Sequence, residues 1–134
     1  MSVSSEFQKA ILDALLADAG VGALVGDRIY DGAPSTLGYP CITFGPSEVD
    51  VEQIQCVAAQ TEALQIDIWS RDKGRMRPCK DIVGAVLAAL RAADLSLTTN
   101  ALASFEIEGA RYMLDPDGIS AHGVVTVVAE LETV

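Results

Sequence analysis

Near the C-terminus the chain alternates with a period of two. Val125, Val127, Ala129 and Leu131 fall on one side, and Thr126, Val128 and Glu130 on the other. The segment Thr61 to Ser70 repeats the pattern, with Leu64, Ile66 and Ile68 facing one way and Gln65, Asp67 and Trp69 the other. Such alternation commits the chain to β-strands with one apolar face and one face that tolerates water. The apolar face needs cover, and two segments with helical spacing supply it. Phe7, Ile11, Leu12, Leu15 and Leu16 form one stripe; Ile82, Val83, Val86, Leu87 and Leu90 form the other.

The remaining punctuation orders these parts. Ser5 with Gln8 three residues on reads as a capping box for the first helix, and Gly20 as its stop. Residues 20–26 read as a compact turn or a single helical turn. They are not a dinucleotide fingerprint, because Val25 stands where that motif needs Gly. Arg28 to Tyr30 is a short strand candidate, and Asp31 to Pro40, with two Gly and two Pro, is a loop. Cys41 to Val49 reads as a strand with Ile42 and Phe44 on one side and a bulge or edge at Pro46. Asp50 to Ala59 reads as a long hairpin loop. Pro78 fits the first turn of the second helix. Asp94 to Asn100 turns the chain. Ala103 to Met113 and Ile119 to Glu132 are strands joined by Asp115, Pro116, Asp117 and Gly118, with Gly118 at the left-handed position.

The expected order is α-β-β-β-α-β-β. The fold class is α+β: a mostly antiparallel sheet with two amphipathic helices packed on one face. The other face would carry Gln65, Asp67, Glu106, Glu108, Thr126 and Glu130, and would meet water or another subunit. A length of 134 residues corresponds to one domain, 1–134. A chain of this size buries roughly two-thirds of its unfolded surface, so it needs no disulfide or metal to hold a core.

Nineteen acids against nine bases give a net charge of −10, which argues against a grip on nucleic acid by the whole domain. No run of 18 apolar residues is present, so no membrane span is expected, and the N-terminus shows no signal-peptide pattern. Cys41, Cys56 and Cys79 are odd in number and far apart, and read as reduced, inert thiols. No metal or other cofactor is expected: there is no Cys-x-x-Cys, and the lone His122 is not paired at ligand spacing.

Three arrangements resemble sites of chemistry. Asp115 and Asp117 could open a calcium loop, but the alternate-position ligands and closing Glu are missing, and turn chemistry accounts for both. Ser120 and His122 would share a strand face, yet no nucleophile elbow surrounds the Ser. Glu106 and Glu108 could do acid–base work only in a cleft; on a sheet face they are solvated acids. No catalytic residue is therefore expected, and the chain does not read as an enzyme.

Charge segregation is the remaining signal. Arg71, Lys73, Arg75, Arg77 and Lys80 place five of the nine bases within ten residues. They lie at the expected start of the second helix, where the dipole disfavours cations. A solvated loop is one reading, a contact with acid on a neighbouring subunit or partner is the second, and direct phosphate binding is the third, disfavoured by the negative field around it. On the second reading Arg71, Lys73, Arg75 and Arg77 form a protein–protein contact.

Ala14 to Asp18, then Val25 to Gly32, then Pro40 opening a strand, resemble a family of small tailed-phage proteins. So do Ile68 to Arg71 followed by a Gly-Arg stretch and an Ala-rich helix, and Ala110 to Tyr112 with Asp115 to Gly118 and His122-Gly123 beyond. The chain resembles the tail completion, or tail terminator, family of siphophages, prophages and gene transfer agents, from about Phe7 to Leu131. The long acidic 50–59 segment and Cys56 have no counterpart in the resemblance. It implies a structural protein of the virion, made in the bacterial cytoplasm. Its partners would be a homo-hexameric ring, the tail tube protein, and a stopper or connector of the neck. DNA would pass through the ring without specific binding, and no membrane is implied. A stopper or other head–tail connector is the nearest alternative; a small-ligand domain with a deep pocket is a more distant one. If the ring forms, the open face, led by Asp67, Glu106 and Glu108, is expected to point toward the channel.

Overall fold

The computed structural model describes residues 1–54 and 57–133. The sheet has five strands in the order β1-β2-β3-β5-β4. They are β1 (Ile29–Tyr30), β2 (Cys41–Ile54), β3 (Val57–Arg71), β4 (Ala101–Leu114) and β5 (Ser120–Thr133). Only β1 and β2 run parallel; the other neighbours are antiparallel. Three helices, α1 (Val3–Ala17), α2 (Ala19–Val25) and α3 (Arg77–Ala92), complete the α+β fold.

The register bears out the face assignment. Leu64, Ile66 and Ile68 pair with Val127, Val125 and Gly123, and form one core with Phe7, Ile11 and Leu15 of α1 and Ile82, Val83, Val86 and Leu90 of α3. At Gly123 α3 approaches the sheet closely: a Cβ there would lie 2.7 Å from Val83 Cγ2 and 3.0 Å from Cys79 Sγ. The Phe7 and Phe105 rings meet edge to face, centroids 6.3 Å apart, which ties α1 to β4 in the geometry aromatic pairs favour. Leu16 is the one stripe residue left outside, 46% exposed.

Several local expectations are corrected. Helix α1 begins earlier than Ser5: Ser2 is its N-cap and accepts the Ser5 N–H at 3.1 Å, while Gln8 donates to Asp31 instead. Helix α1 stops at Asp18 rather than Gly20. Asp18 also caps α2, accepting the Val21 N–H at 2.9 Å. The segment read as a compact turn or a single helical turn is this seven-residue helix, held by complete burial of Val21 and Val25.

The largest correction concerns Asp50 to Ala59. Residues 50–54 and 57–59 are paired strand, not loop, with Asp50 opposite Thr61 and Ile54 opposite Val57. Between them, Gln55 and Cys56 lie outside the described residues, and so does the reading of Cys56 as an inert thiol. The register of β2 against β3 shifts between Phe44 and Ser47, at the Pro46 expected to mark a bulge. Strand β4 shifts twice against β5, between Leu102 and Ser104 and between Ile107 and Gly109. Gly118 closes the β4–β5 turn with φ 76°, the left-handed conformation expected.

Candidate functional site

The basic segment lies where β3 leaves the sheet and α3 begins. The chain turns at Lys73 and Gly74, both left-handed, with φ 56° and 76°. Helix α3 then starts with Pro in its first turn, no side-chain cap and no acid. No acid in its first turn offsets the cations at its N-terminus.

The four residues expected to share a contact are used differently. Arg71 is held within the molecule. Its guanidinium stacks over the Tyr39 ring at 4.2 Å, its Nε donates to Ser120 Oγ at 3.2 Å, and its Nη2 lies 3.6 Å from Asp117 Oδ2. Asp117 anchors the β4–β5 turn. The Ser120 hydroxyl (2.6 Å) and the N–H groups of Ile119 (2.9 Å) and Ser120 (2.8 Å) donate to it. These bonds, aided by Arg71, hold its carboxyl below the usual range. Lys73, Arg75 and Arg77 are exposed. Arg75 makes one loose surface pair with Asp72 at 3.6 Å, of a kind that contributes little.

Sequence reasoning did not find the apolar surface inside this basic frame. Leu114 is 51% exposed, Ile119 47% and Tyr112 38%. Gly74 N–H donates to Ile119 O at 3.1 Å, a Cβ on Gly74 would sit 3.2 Å from Leu114 Cδ1, and Lys80 Nζ lies 5.3 Å from the Tyr112 ring centroid. Three exposed apolar side chains beside four exposed cations have the anatomy of an interface, an apolar centre with a charged rim. The only sequence signal was parity: Tyr112 and Leu114 share a strand face with no partner left to cover its end.

Asp67, Glu106 and Glu108 are not equivalent either. Asp67 lies on the face opposite the helices, paired in register with Val124, but its side chain is buried. It accepts from Gln65 Nε2 at 2.8 Å and from His122 Nε2 at 2.7 Å. Because a carboxylate only accepts, this bond places the proton on Nε2. His122 in turn stacks on Trp69, whose indole N–H donates to Thr43 Oγ1 at 3.1 Å. Ser120 and His122 do share a face, but each is bonded to a different acid. Glu106 and Glu108 are exposed.

The open face is more acidic than expected, because the 50–59 segment joins it. By register, Glu48, Asp50 and Glu52 of β2 lie on the same face as Glu130 and Glu132 of β5 and Glu106 of β4. The strand segments that carry them, 47–54, 57–64, 101–107 and 127–133, contain no Lys or Arg.

Among the described residues no group of His, Cys, Asp and Glu is arranged to hold a metal, and no helix is long and apolar enough to cross a membrane. Cys41 and Cys79 are free and buried. Burial pushes Cys41 up to about 11 against the pull of Arg28. It raises Cys79 as well, partly offset by the Ser70 hydroxyl. Both thiols are therefore protonated and unreactive at neutral pH. An open groove of about 440 Å³ between α1 and α3 is lined largely by Ala10, Ala14, Ala17, Ala89 and Ala92, with Asp13, Asp18 and Asp94 at its edge. It contains no His, Cys or Lys.

Comparison with known proteins gives this architecture a context. No curated protein sequence matches the chain significantly. Among solved structures, a chain from the virion of a native gene transfer agent particle is 25% identical, with a TM-score of 0.88 and 98% of each chain covered. The gp17 protein of bacteriophage SPP1 shares the fold at 20% identity, with a TM-score of 0.60, covering 94% of this chain and 88% of its own. The family model described as tail completion protein gp17 matches residues 9–132. With nearly its whole length matched, the chain belongs to the tail completion protein gp17 family, and is a structural component of a phage-like tail rather than an enzyme.

Proposed function

We propose that residues 1–134 act as one tail-terminator-like domain. Six copies form a ring on the head-proximal end of a tail tube and join it to a stopper or connector of the neck, and DNA passes through the ring. The observation that carries this reading is the open sheet face, whose outer half holds acids and no base. A conduit that bound phosphate would hold DNA back through counterion release. A negative wall repels the duplex within a Debye length of about 8 Å at physiological salt and keeps it centred. Six chains of net charge −10 bring roughly −60 to the ring before counterions reduce the field.

In this arrangement the open face of β3, β5 and β4 lines the channel, the acids of the β2 arm lie to its side, and the helices face outward. Glu106 and Glu108 present free carboxylates to the channel, and Asp67, on the same side of the sheet, is buried and bonded to His122. Lys73, Arg75 and Arg77 contact protein, while Arg71 braces the corner from within. Replacing Glu106 and Glu108 together with Lys tests the reading. Rings are expected to form and DNA delivery to slow, more so at low salt. A particle image with these acids on the outer wall, or with one copy at the tail end, overturns it.

A further inference from the structure

The sheet carries a second exposed apolar surface at the end opposite the basic corner. The outer halves of β2 and β3 form an arm. On its helix-facing side Val51 is 71% exposed and Val49 39%, so no helix of the same chain covers them. Glu48, Asp50 and Glu52 alternate with these valines and are exposed as well. Among the described residues, the outer edge of β2 beyond its short pairing with β1 has no strand partner. The arm is thus apolar on one side and acidic on the other, with a free margin.

The arm and the corner are chemically complementary. One offers valines among acids, the other Tyr112, Leu114 and Ile119 among cations. They cannot meet within one molecule. Val51 pairs with Gln60, and the eleven residues from there to Arg71 hold the two surfaces roughly 36 Å apart along a single strand at about 3.3 Å per residue. We infer that the arm of one copy docks on the basic corner of the next, its valines covering the exposed apolar side chains and its acids meeting Lys73 and Arg75. Such a contact joins two different patches, and is therefore heterologous. Repeated around an axis it closes a ring, or runs on as a filament if the rotation does not close. The inference rests on the ring reading above and specifies its subunit interface.

Its test uses the full-length chain with p-benzoylphenylalanine in place of Val51, a position exposed enough to accept it. The chain is assembled into particles and illuminated, and the cross-linked peptides are sequenced by mass spectrometry. The expected product is a dimer joined between residue 51 and residues 112–119 of a second copy. Cross-links from an intact ring to another protein, or to another region of this one, overturn the arm contact and leave the ring standing. One copy per particle overturns the ring and the arm contact with it. A charge exchange checks the same interface. Lys73→Glu with Arg75→Glu is expected to lower the yield of ring-bearing particles at least tenfold, with the circular dichroism spectrum unchanged. Adding Asp50→Lys and Glu52→Lys is expected to restore at least half of that yield. No recovery in a folded quadruple variant counts against the contact.

Discussion

The Trp69 indole and the His122 imidazole lie face to face, their centroids 3.8 Å apart and their planes 9° from parallel. The pair closes over Asp67 on the open side of the sheet and fastens β3 to β5 where the helices offer no cover. A stacked ring pair contributes about 0.5–1.5 kcal/mol beyond its area. Removing the imidazole also leaves the buried Asp67 carboxylate without its shortest donor, which costs a further ~1–3 kcal/mol. His122→Ala is therefore expected to destabilise the fold by about 1.5–4.5 kcal/mol, the sum of those two contributions. Trp69 is the only tryptophan, so urea unfolding followed by its fluorescence reads the change directly. A variant within about 0.5 kcal/mol of the parent, the scatter of ordinary surface substitutions, contradicts this account.

The Asp117 carboxyl links stability to acid. Its folded pKa is depressed below the usual 3.8. Its contribution is present above that unfolded value and disappears as pH falls through the folded one. The melting-temperature gap between the parent and Asp117→Ala is expected to be constant above about pH 5 and to narrow below about pH 4. A gap that widens in acid has the wrong sign.

Burial of Cys41 and Cys79 gives the opposite limb. Both thiols are raised above 9.0, Cys41 to about 11. Above pH 9 the unfolded chain loses protons that the folded one keeps, so stability is expected to fall as pH rises from 9 toward 11. In a Cys56→Ser protein at pH 8, a thiol reagent is expected to label neither cysteine until denaturant is added, and then two per chain. Rapid labelling of the folded protein contradicts the burial argument.

Gly123 is a point of close contact between α3 and the sheet. An added methyl would press on Val83 and Cys79, both fully buried. Gly123→Ala is expected to cost about 1–3 kcal/mol through overpacking. Gly84→Ala on the same helix, where a Cβ meets nothing within 4 Å, is expected to be neutral or stabilising. Thermal denaturation of the two side by side separates close packing from a general effect of glycine replacement.

The elements legible in the sequence were those whose burial repeats locally. The alternation around Ile66 and Val127 and the stripe from Ile82 to Leu90 each carry their own apolar signal, and the structure places them as read. The acidic segment 50–59 lacked such a signal because Val51 and Glu52, on opposite faces of β2, are both exposed. What makes it strand is the hairpin ladder in which residues 50–54 pair with residues 57–61. Helix α2 was obscured by two glycines of poor helix propensity, and its stability comes from Asp18 and from buried Val21 and Val25. Of the candidate site, the charge imbalance of 71–80 was visible in composition. The clamp of Tyr39 on Arg71 joins residues 32 apart, and no local pattern announces it.

The register shift of β2 and the second of the two shifts of β4 fall on one line. The register shift of β2 lies opposite Gln65, Gln65 pairs with Thr126, and the second shift of β4 lies beside Thr126. Extra residues on both margins of the same row crease the sheet like a folded card, since each bulge bends its strand and adds local twist. The β2 arm is then a lever hinged at that crease. From Pro46 to Ile54 it is about 26 Å long, so a 10° change at the crease carries its tip about 4–5 Å. The reach of the arm is set at Pro46 and Glu108, residues that need touch no neighbour to decide where one is met.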